Sequence, residues 1–263
     1  MKKLLLILLC LPMIGFGQQR LCESTLHDSF KTEYITYDGV DFSINSFKKT
    51  SNAYKILFFG NSITNGFGGY GMAASNKYSD YCSILVQGLS SKVDSIAIMR
   101  IKGNKWEGLS DGIERLSFLD KEVIKNIDGD ENLIVIQLGD NINTLERRKS
   151  FFNDSKVLID WFRDKCPNAK ILWVYGWYNT IHNMPLLRKV MISNTECQLV
   201  DISSLNNITN QNCVGSIYKR KERSIIILSK GVASHPNNIG MKIIADKIME
   251  CVINNVTLPP LHL

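Results

Sequence analysis

Histidine is scarce in this chain, four among 263 residues, and no His-Glu-x-x-His pair or comparable ligand spacing occurs. A histidine-based metal centre is therefore not expected. The seven cysteines stand far apart and never form Cys-x-x-Cys, which argues against a zinc ribbon or a compact disulfide framework. Cys82 and Cys251 fall in apolar helical contexts and read as buried thiols. Charge of one sign is not concentrated either. The densest basic stretch, Lys219-Arg-Lys-Glu-Arg223, is interrupted by Glu222, and the formal net charge is only +6. A nucleic-acid surface needs a stronger bias, so no nucleic-acid partner is expected. No apolar run reaches the roughly 20 residues of a membrane-spanning helix.

The longest apolar run is short and N-terminal. Lys2 and Lys3 precede an apolar stretch from Leu4 to Phe16, and Gly15-Phe16-Gly17 offers small residues at a cleavage point. This pattern predicts an export signal over residues 1–17, with a periplasmic or secreted product and no integral membrane segment afterwards. Lipid attachment through Cys10 fits less well, because Leu9 precedes it.

From Tyr54 onward strand and helix patterns alternate. Apolar strands are expected at Tyr54–Gly60, 95–101, 133–138, Lys170–Tyr175 and 198–202. Amphipathic helices are expected at 78–89, 144–164 and Asn238–Ile253. Near-continuous apolar strands between helices predict an α/β fold: a three-layer α/β/α sandwich around a doubly wound parallel sheet of about five strands. Residues 18–50 break the alternation. Their segments 34–39 and 40–44 predict a short β extension, a hairpin packed on the main domain of residues 51–263. Residues 223–228 suggest another short strand.

In open parallel sheets the loops after the strand C-termini carry the chemistry. Here those loops read Gly60-Asn-Ser62, Lys102-Gly-Asn104, Gly139-Asp-Asn141 and Gly176-Trp-Tyr-Asn179, with His235 just before the last helix. A serine, a histidine and amide donors at one rim suit attack on a carbonyl. Each residue also has an ordinary reading. Ser62 can cap a turn, Asn141 can relax a loop, and His235 before proline can start a helix.

Other nucleotide and hydrolase signatures fail. Gly66 to Gly71 spell a GxGxxG, but they begin six residues past the strand and no acid ends the second strand. Phe67 stands where a P-loop needs lysine. Thr64 occupies the second glycine position of a G-x-S-x-G elbow.

Phe59-Gly-Asn-Ser-Ile-Thr64 resembles the first block of the SGNH (GDSL-type) esterase and lipase superfamily. Gly139-Asp140-Asn141 is similar to its third block, and His235-Pro236-Asn237 with Gly240 to its last. The Gly71-Met-Ala-Ala-Ser75 run before Asp80-Tyr81 is similar to an exported subgroup. The resemblance implies a flavodoxin-like fold, ester hydrolysis through an acyl-enzyme, and no cofactor. It assigns Ser62 as nucleophile, His235 as base, and Ser62, Gly103 and Asn141 as oxyanion donors. Asn61, Trp177, Tyr178 and His182 are expected substrate contacts, with His182 the rival base.

Two positions depart from the family pattern. Val232 replaces the aspartate expected three residues before the histidine, and Ile142 the aspartate after the third-block asparagine. A Ser62–His235 pair oriented by a main-chain carbonyl near 231–233 is the expectation that follows. The expected partner is a small-molecule or glycan ester, with a short acyl group such as acetyl. A lipase, or a non-catalytic glycan-binding protein on the same scaffold, are the alternatives.

Overall fold

The computed structural model describes residues 30–37, 40–47, 53–66, 69–93, 96–178, 181–194, 196–220 and 223–253. The expected export signal lies outside them. In chain order the elements are β1 (Phe30–Tyr37), β2 (Val40–Phe47), β3 (Tyr54–Gly60), α1 (Tyr81–Ser90), β4 (Ile96–Lys102), α2 (Asn104–Gly108), α3 (Gly112–Phe118) and β5 (Leu133–Gln137). Then come α4 (Leu145–Lys165), β6 (Lys170–Tyr175), α5 (Asn183–Ser193), β7 (Cys197–Asp201), β8 (Ile217–Arg220), β9 (Arg223–Ile226), α6 (Lys230–Ala233) and α7 (Asn238–Ile253).

The main sheet runs β1-β2-β4-β3-β5-β6-β7. Its last five strands are parallel. The N-terminal hairpin joins edge-on, β2 pairing antiparallel with β4, so it lengthens the sheet instead of covering a face. Among the described residues β9 pairs with β8 alone, in a separate hairpin.

Alternation along the strands loads both faces. In β3, Ile56 and Phe58 join one core with Tyr81, Leu85, Met241, Ile244 and Ile248, while Leu57 and Phe59 join the other with Trp106, Phe151, Phe162 and Trp173. Each such side chain contributes roughly 1.5–3 kcal/mol by leaving water. α1 and α7 cover the first face, and α3, α4 and α5 the second.

Some helix limits differ from expectation for local reasons. α1 begins at Tyr81 because Asp80 caps it, accepting the Ser83 N–H at 2.9 Å. The same carboxylate is ion-paired with buried Arg100 and accepts the Gly71 N–H at 2.8 Å. That pins the loop after β3 against β4. α2, α3 and α5 are additional helices with no counterpart in the sequence expectation.

The chain leaves β3 toward β4 on one side and enters β5 on the other. The topological switch therefore falls between the C-terminal ends of β3 and β5, the place where open parallel sheets gather their ligands. Ser62 follows the first of those strands and Asn141 the second.

Candidate active site

β3 ends at Gly60, where an added Cβ would lie 2.1 Å from Thr64 Oγ1, so only glycine fits. The next residues coil into one turn: the N–H groups of Thr64 and Asn65 both donate to the Asn61 carbonyl, at 2.7 and 2.8 Å. Half-buried Ser62 stands on that turn, and its carbonyl accepts from Met72 N at 2.7 Å. Among the described residues nothing accepts the Ser62 N–H. Thr64 Oγ1 lies 2.7 Å from the Tyr81 hydroxyl and donates to Gln137 Oε1 at 3.3 Å, locking the turn to α1 and β5.

His235 arrives from the other end of the chain. Its Nε2 lies 2.8 Å from Ser62 Oγ. Its Nδ1 lies 2.9 Å from the Gly231 carbonyl and 3.2 Å from that of Val232. Carbonyls only accept, so Nδ1 carries the proton and Nε2 is left to accept from the Ser62 hydroxyl. Among the described residues no carboxylate bonds this imidazole. α6 supplies the two carbonyls. Asn237 holds the following turn by donating to the Thr209 and Gln211 carbonyls, both at 2.8 Å, and by accepting from Gly240 N at 3.0 Å. Gly240 has no room for a side chain, since a Cβ would lie 2.4 Å from the Asn210 carbonyl. Burial pushes the His235 pKa below its ordinary value, against the two carbonyl bonds.

Asn141 is exposed, its Nδ2 donating to Glu107 Oε2 at 2.8 Å, the same oxygen that takes the side chain of Asn61 beside Ser62. Glu107, which sequence reasoning did not single out, is fully buried on α2. It also accepts the side chain of Asn61 and the backbone N–H groups of Gly139, at 2.6 Å, and Asn141, at 3.3 Å. Gly139 has φ +118°, the left-handed geometry that lets the chain turn sharply after β5. Beside it Asp140 accepts from Gln137 Nε2 at 2.7 Å, while its Oδ1 is covered without a partner among the described residues. Burial, and then the charge of Glu107, push the Asp140 carboxyl up to about 7.

Gly103 departs from expectation. Its N–H donates to the Gly60 carbonyl at 2.7 Å, adding one more bond to the β3–β4 ladder, and is therefore not turned to an oxyanion. Trp177 is also corrected as a substrate contact. It is fully buried, with Nε1 donating to the Ser234 carbonyl at 2.9 Å, and it braces the histidine loop from beneath. Tyr178 does reach the site, its ring meeting the His235 imidazole edge-on at 5.6 Å between centroids. His182 is exposed at the start of α5 and bonds neither Ser62 nor His235 among the described residues. Its neighbour Asn183 braces the third-block turn through the carbonyls of Gly139, at 2.9 Å, and Ile142, at 3.0 Å. Among the described residues no group of three or more His, Cys, Asp or Glu side chains is placed to hold a metal. Nor, among them, is any helix long and apolar enough to cross a membrane.

No protein-family model matches the chain, and no curated protein matches it by sequence. Solved structures do resemble it. A family two carbohydrate esterase from Clostridium thermocellum, in complex with cellohexaose, aligns over 80% of this chain and 67% of its own, with a TM-score of 0.51 at 16% identity. The chain has the SGNH hydrolase fold. A carbohydrate esterase family 2 enzyme with a carbohydrate binding domain, from Corynascus thermopiles (Myceliophthora fergusii), aligns over 79% of this chain and 68% of its own, with a TM-score of 0.51 at 11% identity. At such identities the likeness is one of fold. Within the SGNH fold the loops after β3 and β5 and the turn before α7 carry Ser62, Asn141 and His235.

Proposed function

We propose that this chain is a serine esterase acting through Ser62 and His235, and that the 2.8 Å contact between them is the observation that carries the reading. In the acylation step Ser62 Oγ bonds to the acyl carbonyl carbon while its proton passes to His235 Nε2. Negative charge on the former carbonyl oxygen meets the Ser62 N–H and the second N–H of Asn141 Nδ2. Collapse breaks the ester C–O bond, and the alcohol leaves with the proton from Nε2. Water then repeats the sequence on the acyl-enzyme and releases the acid. No cofactor enters these steps.

A carboxylate is not required to orient the base, because two main-chain carbonyls already fix the imidazole. The side chain at 232 is then dispensable. Val232→Ala is expected to keep kcat/KM within about threefold, since a small truncation at a half-buried position leaves the carbonyl in place; a loss beyond tenfold would show that this side chain matters.

The substrate proposed is a short acyl ester, such as acetyl, on carbohydrate or cell-envelope glycan, encountered after export directed by residues 1–17. Residues 18–50 form the β extension and 51–263 the hydrolase domain in this scheme. The likeness to glycan-binding esterases and the small, polar loops at the rim support that choice. p-Nitrophenyl acetate turnover tests the chemistry, and acetate release from a panel of acetylated glycans tests the substrate.

The base must be neutral, and burial lowers its pKa. kcat/KM is therefore expected to hold from neutral pH downward and to fall only below about 6.5, the ordinary histidine value. A pH profile checks this. An acid limb centred near 7 would instead implicate Asp140, whose carboxyl titrates at about 7.

A further inference from the structure

We propose that Glu107 is a positioning residue that fixes the side-chain amide of Asn141, and that of Asn61 beside it, with N–H turned toward the reacting carbonyl. The inference rests on the esterase reading and adds a residue to it.

Four donors converge on this one buried carboxyl group. Oε1 takes the backbone N–H groups of Gly139 and Asn141, and Oε2 takes the side-chain nitrogens of Asn61 and Asn141. The two backbone N–H groups on Oε1 cannot turn, and with the asparagine side-chain nitrogens on Oε2 every partner donates, an arrangement that suits the carboxylate. Burial pushes its pKa up while the four hydrogen bonds oppose that rise.

An asparagine amide has nearly the same shape either way round, and its neighbours decide which end faces where. A carboxylate offers only lone pairs, which forces Nδ2 of Asn141 toward it. The second N–H of that nitrogen is then left for an oxyanion. In the flipped orientation Oδ1 would point lone pairs at both Glu107 and the developing negative charge.

Glutamine at 107 tests this without changing size. The two backbone N–H groups cannot turn, so the glutamine oxygen stays with them and its NH₂ faces the two asparagines. Those amides can turn, and do so to present Oδ1. Charge and orientation then predict opposite signs. Removing a negative charge near a developing oxyanion favours the reaction, whereas flipping Asn141 removes a donor and costs about 10²–10³ in kcat.

The expected result for Glu107→Gln is a fall in kcat on p-nitrophenyl acetate of about 10²-fold with KM little changed. Asn141→Ala alone is expected to lose about 10²–10³, and to lose less than about fivefold more when added to Glu107→Gln, because the two act through one group. An unchanged or raised kcat, or fully multiplicative losses, would overturn the proposal. NMR of the wild-type protein supplies a readout that does not depend on Glu107→Gln folding. The two Asn141 Nδ2 protons, assigned by their disappearance in Asn141→Ala, should be widely split, with one slow to exchange. A narrow, fast-exchanging pair would overturn the proposal. Ser62→Ala is assayed alongside. Turnover surviving in that variant removes the esterase reading and the reaction Glu107 would serve, whereas its loss beside an unaffected Glu107→Gln removes only the role of Glu107.

Discussion

Ser62→Ala is expected to lower kcat on p-nitrophenyl acetate by about 10⁶, leaving only what the oxyanion donors and binding provide. The substitution removes the one atom that bonds to the acyl carbon in the proposed mechanism. His235 still sits in its pocket with Nδ1 on the Gly231 and Val232 carbonyls, so the fold has no reason to move. The melting temperature should therefore stay close to that of the native protein while activity disappears. Burst kinetics with a slowly deacylating ester should vanish in the variant as well. Turnover unchanged in Ser62→Ala would end the esterase reading and leave a scaffold that binds glycans without cleaving them.

His235→Ala is expected to cost nearly as much, and the double variant no more than the worse single one. On the proposed mechanism serine and histidine act as a unit: without the base the hydroxyl keeps its proton, and without the hydroxyl the base has nothing to receive. Non-additivity of this kind is the measurable mark of the pairing. Losses that multiply would mean the two residues serve separate steps. Because the imidazole is 7% exposed and packs against Tyr178, its removal also leaves a void. A melt and a ligand-binding control then separate lost chemistry from lost structure.

Much of this architecture was legible in the residues, and the reasons are physical. β3, β5 and β6 are buried on both faces, so their apolar runs stand out against the chain. Gly60 and Gly139 are dictated by local backbone needs, and Asn237 by the Gly240 N–H three residues on, so each leaves a short, recognisable string. Other features depend on distant partners. Trp177 at the exit of β6 looks the same in sequence whether it lines a crevice or lies beneath one. Its contacts with Ser234 and Gly240, on the far end of the chain, decide the matter. The Gly103 N–H is directed by one extra rung of pairing with Gly60, which no local pattern announces. Glu107 is the hardest case. A single glutamate on a five-residue helix reads as a solvated charge, and only the convergence of Asn61, Gly139 and Asn141 shows otherwise.

The hydroxyl and the imidazole are 173 positions apart, one delivered by the opening strand of the parallel sheet and the other just ahead of the closing helix. Their meeting therefore depends on the whole sheet and on the turn before α7 together, not on any local segment. On the esterase reading, activity is expected to vanish together with the packing of α7 against α1, whose shared core holds Leu85, Ile244 and Ile248. Turnover would itself report that these two distant segments have come together.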